Sequence, residues 1–296
     1  MKTIVLALLV LAVAGSAWAG NVPSGVTGFW RFEDGSSQAA SLKATIGVDL
    51  QTSSFTYNTF PATGPWVHIG TDTNHEAFTD NGCVQETANQ CLIVKPSFTA
   101  NGGGAYVNQY TVAIDYRETA SVAYNSLFQT SWDGNANDGD LWMKRVGTDG
   151  YISTIGAGAI GGYSDLTFDA SQFHRIVWSV NNGAADGTGG SFKVFVDGVL
   201  FFNKTDGSGT DIGMGMDDDT YALYPDRFNL FGDNDWENTW GYVETAATWD
   251  HALTTNEVAG MGSPDTPLIF SVPVPSAFVL LALGLIGAVA YLRRHR

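Results

Sequence analysis

Residues 192–202 read Phe-Lys-Val-Phe-Val-Asp-Gly-Val-Leu-Phe-Phe, and this stretch decides the fold class. Two short apolar segments flank the pair Asp197-Gly198. A two-residue turn between antiparallel strands needs positive φ at its central positions, which Asp and Gly tolerate better than most residues. The stretch therefore predicts a β-hairpin with strands at residues 191–196 and 199–202.

The residues before this hairpin continue the strand pattern. In residues 173–181 the side chains of His174, Ile176, Trp178 and Val180 fall on one face by two-residue alternation. Across the chain, 35 glycines separate short apolar stretches, and long helical periodicity is missing. This pattern predicts an all-β, two-sheet antiparallel sandwich. Further strands are expected at residues 28–33, 110–116 and 240–249.

One short helix is expected after the last strand. Thr254 and Glu257 have the spacing of a capping box, in which each side chain satisfies a backbone N–H at the helix start. Residues 263–271 then form a Pro-containing spacer between the domain and the C-terminal segment.

The N-terminus has the order of a cleavable signal peptide. Lys2 precedes an apolar run over residues 4–14, and Ala17-Trp18-Ala19 provides small residues at a cleavage site. Residues 1–19 are therefore predicted to be removed on export.

The C-terminus predicts a single transmembrane helix. The apolar residues 277–292 rise about 24 Å as a helix, slightly less than a ~30 Å hydrocarbon core. They are followed by three arginines, which favour the cytoplasmic side of a membrane. These are Arg293, Arg294 and Arg296.

With Pro273 and Pro275 before the helix, this end resembles the PEP-CTERM sorting signal of Gram-negative bacteria. Val274 stands where that family has a Glu, as in Val-Pro-x-Pro variants. The resemblance implies recognition by an exosortase and an association with exopolysaccharide or biofilm.

Three segments resemble the laminin-G-like, concanavalin A-type jelly roll. They are a Trp-Arg-Phe-Glu-Asp-Gly opening at residues 30–35, the strand and hairpin of residues 173–198, and a closing strand and capped helix at residues 241–258. Thr245 departs from the family, which often has an acid there. The resemblance implies loops or a concave face that bind glycans or proteins, often with Ca²⁺. It does not imply catalysis.

The charge and the cysteines limit the partners and the compartment. Residues 20–271 hold all 30 acidic side chains but only 10 of the 14 basic ones, so nucleic acid is not an expected partner. Cys83 and Cys91 lie eight positions apart in a chain predicted to leave the reducing cytoplasm. A disulfide between them is expected.

No local pattern predicts catalysis. A retaining glycosidase needs two carboxylates about 5 Å apart, which on one strand requires even spacing. Asp115 and Glu118 are odd-spaced and should lie on opposite faces, and no nucleophile elbow is present. The chain is therefore expected not to be an enzyme, with an inverting carboxylate pair from distant loops kept as an alternative.

Three polar loops have the composition of Ca²⁺ sites, which need several oxygen ligands close together. The first, at residues 133–140, begins like an EF-hand loop but has Lys144 where the bidentate Glu belongs. Solvated turns explain the same compositions, because Asp and Asn favour turns. The candidate ligands are Asp133, Asn135, Asp217, Asp219, Asp233 and Asp235.

Sugar rings commonly stack on exposed aromatic side chains. Trp132, Trp142 and Trp236 stand beside polar loops and are the candidate sugar-binding residues. The tryptophans of alternating strands, Trp30, Trp178 and Trp249, are expected to be buried.

The sequence thus predicts a signal peptide (1–19), a jelly-roll domain (20–262), a spacer (263–271) and a sorting segment with a transmembrane helix (272–296). The expected function is a lectin-like module that binds polysaccharide at the surface or in the matrix of a Gram-negative bacterium. Ca²⁺ is the one cofactor suggested, and exosortase and the membrane are expected partners. The alternatives are a structural or adhesive matrix protein with protein partners and an extracellular glycosidase.

Overall fold

The structure is a computed structural model. It describes residues 21–32, 42–52, 67–69, 76–78, 92–118, 123–130, 139–148, 150–158, 162–183, 189–205, 221–231 and 241–268. The chain divides into two compact units, and the one described below is Gly25–Pro267. The other joins Met1–Ser24 to Leu268–Arg296, and only residues 21–24 and 268 of it are described.

The described residues form sixteen strands and one helix. The strands are β1 Val26–Trp30, β2 Ala44–Ile46, β3 Gln51–Thr52, β4 Val67–Ile69, β5 Glu76–Phe78, β6 Leu92–Val94, β7 Gln109–Glu118, β8 Tyr124–Gln129, β9 Asp140–Arg145, β10 Ile152–Ala157, β11 Phe168–Asp169, β12 His174–Asn181, β13 Ser191–Val196, β14 Val199–Thr205, β15 Phe228–Leu230 and β16 Gly241–Trp249. The helix α1 is Thr255–Met261.

Two seven-stranded antiparallel sheets contain most of the strands. The first sheet has the order β14-β13-β12-β7-β16-β1-β2, and the second has the order β11-β10-β9-β8-β15-β6-β3. Strands β4 and β5 form a separate pair. The predicted two-sheet antiparallel sandwich is thereby confirmed at the level of architecture.

The core lies between the two sheets. Trp178 of the first sheet contacts Phe128 of the second at 5.2 Å between ring centroids, and Tyr110 contacts Phe128 at 6.1 Å. Trp178 is fully buried together with Ile176 and Val180 from the same strand face, as the alternation of β12 predicts. Burial of these apolar surfaces supplies the main stabilising free energy of the fold.

The opposite face of the first sheet is also buried, because α1 and the residues before it lie against it. Ser179 donates its hydroxyl to the Leu253 carbonyl at 2.9 Å, and Arg175 donates from Nη1 to the Met261 carbonyl at 2.6 Å. Val258 and Met261 of α1 are fully buried. Trp249 is buried as well, as is Trp30, so the expectation for the strand tryptophans is confirmed.

The local turn signals are confirmed in their geometry. Asp197 and Gly198 have φ values of 53° and 76°, as a two-residue hairpin requires. The Thr254 side chain accepts from the Glu257 N–H, and the Glu257 carboxylate accepts from the Thr254 N–H, which completes the capping box of α1.

Strand β1 differs from its prediction. It ends at Trp30, whereas the sequence pattern predicted a strand to residue 33. Phe32 adopts a φ of 54°, in the left-handed region that is incompatible with an extended strand. The fully buried Phe32 side chain shows that core packing holds this conformation.

In the described part of the chain, no helix has the length and apolar character needed to cross a membrane. The predicted signal peptide, Pro273, Pro275, the C-terminal helix and its arginines lie outside the described residues, as do Cys83 and Cys91. These features stay predictions.

Candidate functional site

The outer face of the second sheet, opposite the core, carries the candidate site. In β9, Leu141 and Met143 are buried in the core, so alternation directs Trp142 and Lys144 to the other face. Register then assigns their neighbours, because paired residues share a face. Trp142 pairs with Gly156 of β10, and Lys144 pairs with Tyr124 of β8.

Gly156 of β10 and Gly158, just after the strand, make room for the Trp142 indole. A Cβ atom on Gly156 would lie 2.5 Å from Trp142 Nε1 and 2.7 Å from Tyr163 Cδ1. A Cβ atom on Gly158 would lie 3.0 Å from Trp142 Cζ3. Any side chain at Gly156 would displace both rings, so glycine at this position lets Trp142 and Tyr163 lie close to the sheet.

Three aromatic rings stand on this face. Tyr163 forms a bridge to Gly156, which places its ring edge-on to Trp142 at 6.5 Å between centroids. Tyr124 lies on the other side of Lys144. We call Tyr124, Trp142 and Tyr163 the aromatic platform.

Lys144 lies between two rings of the aromatic platform. Its Nζ is 4.1 Å from the Tyr163 ring centroid and 5.6 Å from the Tyr124 centroid, within the range of cation–π attraction. Lys144, Trp142 and Tyr124 are partly exposed, and Tyr163 is 42% exposed. The platform is therefore reachable from solvent.

Further exposed apolar side chains surround the platform. Val146 and Ile152 follow on the same face, joined by a hydrogen bond from the Val146 N–H to the Ile152 carbonyl at 2.7 Å. Leu166 lies beside Thr154, whose hydroxyl donates to the Leu166 carbonyl at 2.9 Å. With Tyr163, these residues make up four of the seven large apolar residues that are exposed in the described part of the chain. Clustering of this kind is typical of interaction surfaces, whereas exposed apolar residues scattered singly need no explanation.

The polar residues that β8 and β15 contribute to this face are buried. Ser126 pairs with Trp142, and Gln129 pairs with Asp140 and Asn229, but each of Ser126, Gln129 and Asn229 is almost completely shielded from water. The accessible part of the face is therefore the platform end.

The Trp142 indole N–H is buried, and within the described part of the chain it has no hydrogen-bond acceptor. The core indole of Trp178 shares this feature, so it does not by itself mark a functional position.

Of the predicted sugar-binding residues, the structure places Trp142 on the platform. Trp132 and Trp236 lie outside the described residues. Tyr124, Lys144 and Tyr163 were missed by the sequence reasoning. Two-residue alternation along the strand could have placed Lys144 on the same face as Trp142. Tyr124 and Tyr163 reach this face through pairing between strands, which local sequence patterns do not reveal.

The predicted Ca²⁺ ligands cannot be compared with this site, because all six lie outside the described residues. Among the residues the structure does describe, no group of three or more His, Cys, Asp or Glu side chains could hold a metal ion. Ca²⁺ binding stays a prediction.

Two carboxylates considered for catalysis have structural partners. Asp115 forms a buried, two-pronged ion pair with Arg175, with both N–O distances at 2.7 Å. Glu118 accepts a hydrogen bond from Asn125 of the second sheet at 2.7 Å. The two therefore lie on opposite faces of β7, as their odd spacing predicts.

Comparisons with known proteins relate the chain to solved structures only. No model of a known protein family matches it, and no curated protein sequence is detectably similar. Domain 4 of AbnA, a GH43 extracellular arabinanase from Geobacillus stearothermophilus in complex with arabinotriose, is 16% identical, with a TM-score of 0.47 over 80% of this chain and 98% of that one.

Two further structures come from other organisms. The SAP-like pentraxin of Limulus polyphemus is 18% identical, with a TM-score of 0.38 over 52% of this chain and 70% of that one. The sialidase of Trypanosoma rangeli in complex with sialic acid is 14% identical, with a TM-score of 0.49 over 82% of this chain and 33% of that one.

The expectation that this chain is not an enzyme is wrong as it was drawn. Its basis was the lack of a local carboxylate pattern, but the similar structures include a sialidase and a domain of an arabinanase. The physical reason is that catalytic carboxylates can come from loops far apart in sequence, which no spacing rule detects.

Proposed function

We propose that this chain is an exported, lectin-like protein that binds polysaccharide on the aromatic platform of its second sheet. The observation that carries the proposal is a set of three accessible rings, of which Trp142 and Tyr163 pack closely over Gly156 while Tyr124 and Tyr163 flank Lys144. Ligand sites combine apolar and aromatic surface with a few polar groups that fix orientation. A sugar ring offers an apolar C–H face to such rings and its hydroxyls to neighbouring polar groups.

The finer parts of the proposal rest on the sequence. The laminin-G-like resemblance supports a concanavalin A-type jelly roll. The N-terminal signal and the PEP-CTERM-like end support export to the cell surface or matrix of a Gram-negative bacterium, with exosortase as a processing partner and biofilm polysaccharide as the setting. A Cys83–Cys91 disulfide and bound Ca²⁺ belong to the same proposal.

The test is calorimetric titration of the purified full chain with a panel of soluble neutral and acidic polysaccharides. Wild type is expected to bind at least one member saturably, and Trp142→Ala and Tyr163→Ala are expected to weaken that binding at least tenfold. Loss of one stacked ring at about 1.5 kcal/mol corresponds to a change of this size, because about 1.4 kcal/mol is tenfold in affinity.

Tyr224→Ala is the matched control. Tyr224 is 41% exposed, almost the same as Tyr163, but its ring packs on Tyr106, which is not part of the platform. Equal loss of binding in Tyr224→Ala and Tyr163→Ala would contradict the proposal that polysaccharide binds on the aromatic platform. Absence of binding to the whole panel would favour a matrix protein with protein partners.

The same incubations are assayed for new reducing ends, because sandwiches of this kind serve both binding and hydrolysis. New reducing ends formed by wild type and lost in Trp142→Ala would make the platform a substrate site. Saturable binding without them would assign it to binding alone.

A further inference from the structure

Lys144 is the only basic side chain that the structure places within the aromatic platform among the described residues. It lies on β9, between Tyr124 on one side and Tyr163 on the other. Its two immediate neighbours on the same face of the strand are Trp142 and Val146. The positive charge therefore lies in a surface that is mostly aromatic and apolar, with Thr154 of β10 as its polar strand neighbour.

No carboxylate neutralises this charge in the described part of the chain. None of the ion pairs seen between described residues involves Lys144. The chain carries 30 acidic and 14 basic side chains, so carboxylate partners are in excess. A lysine that has no ion pair with any described carboxylate of so acidic a protein is a position at which a negative charge from outside would be favoured.

The cation–π contacts hold the ammonium group in place without neutralising it. They are electrostatic contacts with ring faces, and the three N–H donors of the ammonium remain suited to anionic oxygens. A lysine that is already ordered also loses less side-chain entropy when it binds a ligand. The arrangement favours a ligand whose anionic group lies beside an apolar ring face.

Sugars that carry a carboxylate on the ring match this combination. In a uronic acid the carboxylate projects from the ring carbon next to the ring oxygen, so the C–H face and the anion belong to one residue. Neutral sugars would leave Lys144 partly desolvated without a partner, which costs free energy. The remaining excess of negative charge on the protein disfavours any polyanion that lacks a specific cationic contact.

We propose that the ligand of the aromatic platform is an acidic polysaccharide of the uronate class, with its carboxylate paired to Lys144. This inference rests on the proposed function, since it names the ligand class of the same site. Because the ion pair would be only partly buried, binding should weaken as salt shortens the screening length.

The test uses matched polymers that differ only in the carboxylate. Polygalacturonate and alginate are titrated into the full chain beside the same polymers after reduction of their carboxylates to primary alcohols. Wild type is expected to bind at least one uronate polymer about tenfold more tightly than its reduced form, as one charge-assisted contact of about 1.4 kcal/mol requires.

Substitutions of Lys144 test whether its charge, rather than the shape of the platform, determines the preference for uronate polymers. Lys144→Gln is expected to lose the preference for the uronate polymer and keep the affinity for the reduced one, while Lys144→Arg retains the preference. Lys193→Gln is the matched control, because Lys193 is also a partly exposed strand lysine, but it lies on the first sheet. Lys193→Gln is expected to bind like wild type.

The outcomes distinguish this inference from the function on which it rests. Equal binding of charged and reduced polymers, lost in Trp142→Ala but not in Lys144→Gln, would overturn the uronate assignment and leave the platform standing. A uronate preference that persists in Lys144→Gln would also overturn it. Lack of binding to all four polymers would count against both.

Discussion

Arg175 shows how single residues hold the face of the first sheet that lies under α1. Its guanidinium contacts both Asp115 oxygens and donates to the carbonyls of Met261 and Thr266. Thr245 donates its hydroxyl to Asp115 at 2.8 Å. The threonine that departs from the family pattern thus completes the hydrogen bonding of a buried carboxylate. Every strong donor and acceptor of this group is satisfied, as burial demands.

Asp115→Ala is expected to lower the free energy of unfolding by about 3–5 kcal/mol, because it leaves the Arg175 charge buried without its partner. The measurement is equilibrium unfolding in urea. Asp115→Ala combined with Arg175→Met should be less destabilised than Asp115→Ala alone. The surface pair Asp226–Arg227 provides the control, since Asp226→Ala should cost less than about 1 kcal/mol. A similar cost for both aspartates would contradict this account.

His174 is held by two acceptors at once. Its Nδ1 lies 2.6 Å from Asp197 Oδ2, and its Nε2 lies 2.9 Å from the Asp169 carbonyl. Both contacts are hydrogen bonds only when both ring nitrogens carry protons. Burial of the ring opposes this charge, but the hydrogen bond and charge of Asp197, aided by Asp169, outweigh it and raise the pKa of His174.

Because the pKa of His174 is higher in the folded than in the unfolded state, its protonation stabilises the folded protein. This contribution is complete below the unfolded pKa of about 6.5, and it is lost as the pH rises through the folded pKa. His174→Gln should therefore reduce the free energy of unfolding more at pH 5.5 than at pH 9, measured by urea unfolding at both. His251→Gln is the control, because His251 is more exposed than His174 and pairs only with its neighbour Asp250 among the described residues. A larger loss at pH 9 than at pH 5.5 would contradict the assignment.

Some of these residues could be predicted from the sequence, and others could not. Asp197, Gly198, Thr254 and Glu257 act within a few positions of themselves, so their roles follow from local spacing. Asp115 and Arg175 are 60 positions apart and meet only because β7 pairs with β12. Long-range pairs of this kind depend on strand order, which local patterns do not determine.

At the scale of elements, β9 and β10 build the site together. Strand β9 supplies Trp142 and Lys144 by alternation, and β10 supplies a glycine where a side chain would displace the indole. The alternation of β9 was visible in the sequence. The meaning of Gly156 was not, because an isolated glycine in a strand also occurs at bulges and bends.

Gly156→Ala tests whether the close packing of Trp142 and Tyr163 over Gly156 is needed, and it leaves every ring of the platform in the chain. The new Cβ would lie 2.5 Å from Trp142 Nε1 and 2.7 Å from Tyr163 Cδ1, so both rings must move. We expect a loss of about 1–3 kcal/mol in stability and loss of most polysaccharide binding, measured by affinity electrophoresis and urea unfolding. Gly260→Ala is the control, because no heavy atom lies within 4 Å of its added Cβ. Wild-type binding by Gly156→Ala would show that ring placement over β10 is not needed.

At the scale of the whole molecule, the two faces of the sandwich have different roles. The outer face of the first sheet is buried under α1, whereas the second sheet presents rings and a lysine to solvent at its platform end. The sequence predicted the sandwich because its strands and turns are locally coded. It did not predict which outer face stays accessible, since this depends on where residues 241–268 pack.

The central claim is that polysaccharide contacts the Trp142 platform, and indole N–H signals in a two-dimensional ¹H–¹⁵N NMR spectrum test it most directly. The chain has nine tryptophans, and the Trp142 signal is assigned by its absence in Trp142→Phe. On titration with a bound polysaccharide, the account predicts a saturable shift of the Trp142 signal, with the signals of buried Trp30, Trp178 and Trp249 unchanged. Saturable binding that leaves the Trp142 signal in place while another indole shifts would contradict it.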